Sequence, residues 1–195
     1  MRQNFDEEIL DQVSYLSGSK DLACILPAIP VRQPFEERAV AFLDAVSRIL
    51  MTDQEAKRFS DVITFAFWIR RASILKLRDC FEEAGSLRLG RGVIFHIAPS
   101  NVPVNFAYSL VAGFLAGNAN IVRIPTKEFE QVRIIVCAWN RVLEKFEDMK
   151  PYSLFVRYGR EKEINDFFSS IADVRIVWGG DATIAELRKS PLPPR

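Results

Sequence analysis

From residue 91 onward, short apolar runs with β-branched residues alternate with polar turns and helical patterns, without any internal sequence repeat. The runs are RGVIFHIA (91–98), ANIVRI (119–124), SLFVRY (153–158) and VRIVWGG (174–180). Between the first two lies VNFAYSLVAGFLAG, apolar nearly all round, with Gly117 placed to cap a helix. An amphipathic stretch follows, in which Val132, Ile135, Val136, Trp139, Val142, Leu143 and Phe146 share one stripe, and EKEINDFFSSI precedes the last run. Strands that alternate with helices of this length predict parallel βαβ units with right-handed crossovers, hence an α/β chain on an open, mostly parallel sheet.

The first half has another texture. Residues 1–34 are punctuated by Gly and Pro, as in LSGSKDLACILPAIPVRQPF, and are expected to form an irregular arm over the domain surface. Residues 35–86 form a helical lead-in: Phe35, Ala39, Leu43, Val46 and Leu50 recur at helical spacing, and Thr52-Asp53 offers a cap for a second helix. FSDVITFAFWIRRASILKLRDCF continues the pattern, with Arg70, Arg71, Lys76 and Arg78 expected on a solvated face. The α/β part then occupies residues 87–195. Its last strand leads into a single short helix before RKSPLPPR, so the sheet is expected to be incomplete.

Charge narrows the partners. With 26 Lys and Arg against 25 Asp and Glu, interleaved along the chain, there is no footprint for nucleic acid or anionic lipid. The N-terminal MRQNFDEEIL is too acidic for a targeting peptide. The apolar run over residues 102–115 is shorter than the ~20 residues of a membrane span. Cys24, Cys80 and Cys137 are scattered and read as free thiols of a reducing cytoplasm, Cys137 as an inert buried one. The one histidine, His96, cannot build a metal site unaided, so none is expected; it reads as a packed strand residue.

HIAPSNVPVNFAYSLVAGFLAGNANIVRIP (96–125) carries one formal charge, Arg123, and collects polar residues where strand gives way to helix. In open parallel sheets, ligands bind beyond the carboxyl ends of strands, where helix N-termini offer unpaired N–H groups. APSN follows the first strand, RIPTK the second and WGGDAT the fourth. Three polar turns therefore converge on one edge, a nucleotide site by default. The G-x-G-x-x-G fingerprint and a Walker loop are both absent.

GVIFHIAPSNVP followed by LAGNANIVRIP resembles the N-terminal half of the aldehyde dehydrogenase superfamily, which runs a strand into a Pro-x-Asn turn and ends a buried helix in Ala-Gly-Asn. With VWGGDATIAELRKSPLPPR, the chain is most similar to the fatty acyl-CoA reductase branch, which includes the reductase component of the bacterial bioluminescence fatty acid reductase complex. The resemblance is specific from about Leu87 onward. It implies a Rossmann-like, aldehyde dehydrogenase-like fold, with residues 87–195 as part of an NAD(P)-binding domain and the catalytic domain absent. It also implies NADPH-dependent reduction of an acyl-CoA, or another activated acyl group, to an aldehyde through an acyl-cysteine thioester.

Carried over residue by residue, the resemblance makes Asn101 the side-chain amide that stabilises the oxyanion, a case of electrostatic preorganisation. Pro99 and Ser100 of the same turn fall at the cofactor. The lysine that dehydrogenases place on the adenosine ribose falls at Ile124, with Arg123 the neighbouring cation. Lys127 stands where NAD-preferring members carry a ribose-binding glutamate, and Thr126 adds a hydroxyl. An ammonium there attracts a 2′-phosphate, so NADPH is expected over NADH. Gly179 and Gly180 match the turn near the pyrophosphate, although Ile184 replaces a later family glycine. None of the three cysteines matches the nucleophile, so weak NADPH binding without turnover is expected of this chain alone.

Blander roles stand beside these. Asn101 is also a candidate Asx-turn residue, Thr126 a helix cap and Lys127 an exposed first-turn lysine. Two other functions fit: a non-catalytic remnant acting as an interaction module, paired with an acyl-protein synthetase, an intact reductase or itself, or a semialdehyde reductase of the same superfamily.

Overall fold

A computed structural model describes residues 8–81 and 87–193. Its centre is a five-stranded sheet: β1 (Ser14–Ser17), β2 (Val93–Ile97), β3 (Ala119–Arg123), β4 (Ser153–Arg157) and β5 (Val174–Val177). The spatial order is β1-β4-β3-β2-β5. β2, β3, β4 and β5 are parallel, in registers that place His96 opposite Val122 and Ile176, and Val122 opposite Phe155. β1 joins antiparallel to β4, with a register shift between Tyr15 and Ser17.

Residues 8–34, the described part of the expected arm, are thus not irregular. They contribute β1 and helix α1 (Lys20–Ile25), whose Ser19 side chain accepts from Leu22 N. A four-residue strand with Ser at both ends carries no apolar run to announce it. Its place is decided by the open edge of β4, and by Asn140, whose Nδ2 donates to Leu16 O at 2.8 Å.

The helical lead-in divides into α2 (Glu37–Thr52), α3 (Ser60–Trp68) and α4 (Arg71–Phe81). α2 starts two residues after Phe35, which adopts φ 55°. Thr52-Asp53 does not cap the second helix: α3 has Phe59 at its N-cap and no side-chain cap bond. Thr52 Oγ1 donates back to Arg48 O and Ile49 O, and Asp53 Oδ1 accepts from Glu55 N and Ala56 N at the entry to a short 3₁₀ turn (Ala56–Arg58). The pattern read as one continuous helix breaks at Ile69-Arg70. Asp44, on α2, accepts from Arg71 N at 2.9 Å and so satisfies an orphan donor at the start of α4. That cap comes from 27 residues away, which local periodicity cannot reveal.

Helices α5 (Asn105–Leu115), α6 (Glu130–Leu143) and α7 (Lys162–Ser170) link the parallel strands, and α8 (Asp181–Leu187) follows β5. All five residues of β2 are buried, as expected of a parallel strand covered on both faces. On one face, His96, Asn120, Ser153 and Phe155 meet α5 and α6; on the other, Phe95 meets Phe168 of α7 at 5.6 Å between ring centroids. Trp139 on α6 forms the aromatic centre, 4.7 Å from Phe42, 5.4 Å from Phe114 and 5.7 Å from Phe155. Its Nε1 donates to buried Ser153 Oγ at 2.9 Å. The predicted stripe of α6 therefore faces the core.

Cys137 departs from its expected burial: it lies exposed on α6, one position beyond buried Val136. Gly117 holds φ +83° after α5, and its carbonyl accepts from Arg32 N at 2.8 Å. An added Cβ would collide with the Arg32 carbonyl, so glycine is required both by conformation and by the strand of chain packed against it.

Candidate functional site

The strand order sets the site. Moving from β2 to β3 to β4 the chain steps one way; β5 then returns to the opposite side of β2. Such a reversal opens a crevice beyond the carboxyl ends of the two strands that flank it. Here those strands are β2 and β5, paired with Ile97 opposite Val177. The loops that leave them carry Asn101 and Gly179-Gly180, so these residues share one edge of the sheet. The loop after β3, with Thr126 and Lys127, leaves the same edge.

In the β2 loop Pro99 is half-buried, and Ser100 and Asn101 are exposed. The turn closes through the backbone, Asn105 N donating to Val102 O at 3.3 Å. The Asn101 amide makes no hydrogen bond among the described residues, so it does not serve as an Asx-turn residue. Gly179 and Gly180 are exposed, and neither has a positive φ. An added Cβ at Gly180 would meet nothing within 4 Å. Neither conformation nor the chain's own packing demands glycine at 180, whereas close approach of a ligand backbone would.

The β3 loop departs from expectation. Thr126 is exposed and caps nothing: α6 begins at Glu130, with Phe129 at its N-cap and no side-chain cap bond. Lys127 is exposed and lies over the Phe129 ring, 4.9 Å from its centroid. Arg123 turns away from the crevice toward the β4 loop: its guanidinium donates to Gly159 O and stacks on Tyr158 at 4.5 Å. Burial pushes the Tyr158 phenol above its ordinary pKa, and its hydroxyl donates to Asn165 Oδ1 at 2.8 Å. Arg123 thus pins the β4 exit rather than offering a free cation.

Beneath the crevice runs a buried polar chain that the linear pattern does not disclose. Asn120 Nδ2 donates to Asn118 O (2.7 Å) and Tyr152 O (3.1 Å), which turns its Oδ1 toward His96 Nε2 at 3.0 Å. Nε2 must therefore carry the imidazole proton. The other ring nitrogen, Nδ1, accepts from Ser109 Oγ at 2.8 Å, and Ser109 Oγ accepts from Trp178 Nε1 at 3.1 Å. Every polar atom in the chain is matched while the imidazole is neutral. Burial pushes the His96 pKa down to about 4, partly opposed by the Asn120 hydrogen bond. An added Cβ at Gly113 of α5 would collide with Asn120 Oδ1 and come within 3.1 Å of His96 Nε2. That glycine lets α5 lie directly over the pair. The AGNAN segment was visible in the sequence, but its asparagines prove structural: Asn118 Oδ1 accepts from Arg91 N at 2.6 Å and Gly92 N at 3.2 Å.

Among the described residues no cluster of three or more His, Cys, Asp or Glu is placed to hold a metal ion, and no helix is long and apolar enough to cross a membrane.

This combination defines an α/β protein of aldehyde dehydrogenase-like fold. NADP-dependent glyceraldehyde-3-phosphate dehydrogenase from Bacillus halodurans C-125, solved with NADP, aligns with a TM-score of 0.56 at 22% identity, over 96% of this chain and 44% of that one. A 1-pyrroline-5-carboxylate dehydrogenase from Thermus thermophilus aligns at 0.62 and 15% identity, over 98% of this chain and 40% of its own. Proline utilization A from Bdellovibrio bacteriovorus aligns at 0.61 and 16%, over 98% of this chain and 21% of its own. The chain therefore spans less than half the length of these relatives. No curated protein matches the sequence significantly. The sequence matches the acyl-CoA reductase (LuxC) family over residues 16–195, and the chain belongs to that oxidoreductase family.

Proposed function

We propose that this chain provides the nucleotide-binding part of an NADPH-dependent acyl-CoA reductase, which converts an activated acyl group to an aldehyde. The observation that carries this reading is the placement of the Asn101 and Gly179-Gly180 turns side by side across the β2/β5 reversal. The residues present suit a dinucleotide. The open space at Gly180 admits a phosphate, the unpartnered Asn101 amide is free to donate to a developing oxyanion, and Lys127 offers a cation to a 2′-phosphate. NADPH, when bound, supplies the hydride. Pro99, Ser100 and Thr126 border the same edge and complete its wall.

The thioester step needs a thiolate. Cys24 lies on α1, Cys80 on α4 and Cys137 on α6, none of them on a loop at the crevice. No acyl-transfer role is proposed for them, and the chain alone is expected to bind NADPH without turnover. Isothermal titration calorimetry tests the reading: saturable NADPH binding with a Kd below ~1 mM supports it, and no heat at that concentration removes it. Lys127→Glu is expected to weaken NADPH on the order of tenfold and to leave NADH little changed, by replacing attraction with repulsion at an exposed site. Equal NADPH affinity before and after would end the specificity argument. High salt is expected to narrow the NADPH preference of the native chain, since an exposed pair is screened.

A second reading, an interaction module, draws on β5, whose four half-buried residues form an edge strand of the described sheet. Sedimentation separates the two. Self-association supports the module, and a monomer at every concentration tested leaves the nucleotide reading alone.

A further inference from the structure

Trp178 stands at the carboxyl end of β5 with 45% of its surface exposed, yet it is held at both ends. Its backbone N–H donates to Ile97 O at 3.0 Å, and its indole Nε1 donates to Ser109 Oγ at 3.1 Å. Ser109, His96 and Asn120 are all buried, and the hydrogen-bonded chain they form reaches the surface at the indole. Burying three polar side chains is unfavourable unless each is satisfied, and a satisfied chain rigidifies whatever it holds. A surface tryptophan placed only to cover apolar area would need no such anchor. A ring fixed in orientation and nearly half-exposed suits stacking on a planar partner, for which the side chain loses little freedom on binding.

We propose that Trp178 is a ring-stacking platform of the crevice: it takes one planar ring of the bound nucleotide, and Ser109 is the positioning residue that sets the tilt of the indole. This rests on the nucleotide reading above and adds to it a specific contact. Nicotinamide and adenine present the same stacking chemistry, and Trp178 follows Val177 directly at the β2/β5 crevice, where either end of a dinucleotide has access.

The test uses the whole chain and three variants. Trp178→Leu keeps apolar bulk without the ring, Trp178→Phe keeps a ring without the N–H, and Ser109→Ala releases the indole. With NADPH in the calorimeter, Trp178→Leu is expected to raise Kd about tenfold, Trp178→Phe less than about threefold, and Ser109→Ala by an intermediate factor. Ser109→Ala is also expected to move the Trp178 indole N–H resonance upfield, a change that a loss of stability alone would not produce. Nicotinamide mononucleotide and 2′-phospho-ADP-ribose then identify the ring, since the fragment that stacks is the one whose affinity falls in Trp178→Leu. A leucine variant that unfolds like the native chain and binds NADPH as tightly overturns the platform and leaves the nucleotide reading intact. Should that variant misfold, Ser109→Ala decides: a shifted indole resonance with unchanged Kd overturns it equally. A native chain that binds no NADPH overturns both.

Discussion

Trp139→Ala is expected to lower the unfolding free energy by about 4 kcal/mol, measured by urea denaturation. Trp139 is fully buried and touches Phe42 of α2, Phe114 of α5 and Phe155 of β4, so one truncation opens a cavity where three elements meet. It also strips buried Ser153 Oγ of its indole donor, adding the cost of an unpaired acceptor. Against a total of roughly 5–15 kcal/mol for a domain, such a loss leaves the fold marginal. Trp139→Phe separates the contributions: it keeps most of the ring packing and loses the hydrogen bond, so about 1–3 kcal/mol should go. A loss below about 1 kcal/mol in the alanine variant would show that the lead-in helices do not share a core with the sheet.

Acidification is expected to have the next largest effect. His96 is fully buried and neutral, and its pKa lies near 4 in the folded chain against an ordinary 6.5. As pH falls through 6.5 the unfolded chain takes up a proton that the folded chain refuses until about 4. Over that window the unfolded state binds more protons, so stability falls with pH, by about 3 kcal/mol in all, and levels off for this group below the folded value. The assignment is clean because His96 is the sole histidine. Denaturation midpoints followed from pH 7 to 4 should show one proton of linkage in the native chain. In His96→Gln, whose amide still offers one acceptor and one donor, that linkage should vanish even if the variant is less stable throughout. The same slope in both chains would mean that the imidazole is not the group that titrates. Asp148, whose carboxyl is held low chiefly by its hydrogen bond to Arg38, acts in the acidic range below this window.

Among the described residues, four of the five strands and the four α-helices after residue 104 were legible along the chain, because burial on both faces of a parallel strand and on one stripe of a helix leaves a local imprint in apolar spacing. Gly117 was legible for a similar reason, since a left-handed residue at a helix end strongly favours glycine. β1 was not, because Ser14–Ser17 owes its strand to the free edge of β4 rather than to its own composition. The split between α3 and α4 depends on Asp44, 27 residues away from the N–H it caps. Cys137 was misjudged by one helical position: the stripe of α6 is clear, but its exact margin is set by how α2 and β4 meet it.

The candidate site divides along the same line. Residue order alone put Asn101, Lys127 and Gly179-Gly180 on turns after the first, second and fourth apolar runs, since each such run reads as a strand. Whether those turns meet depended on β5 crossing back to pair with β2, a long-range choice that no local pattern encodes. Tertiary packing alone also turned Arg123 onto Tyr158 and Gly159, and linked Trp178 through Ser109 to His96 and Asn120. Periodicity records which residues avoid water. Hydrogen-bond partners far apart in sequence are chosen only when the strands take their order in space.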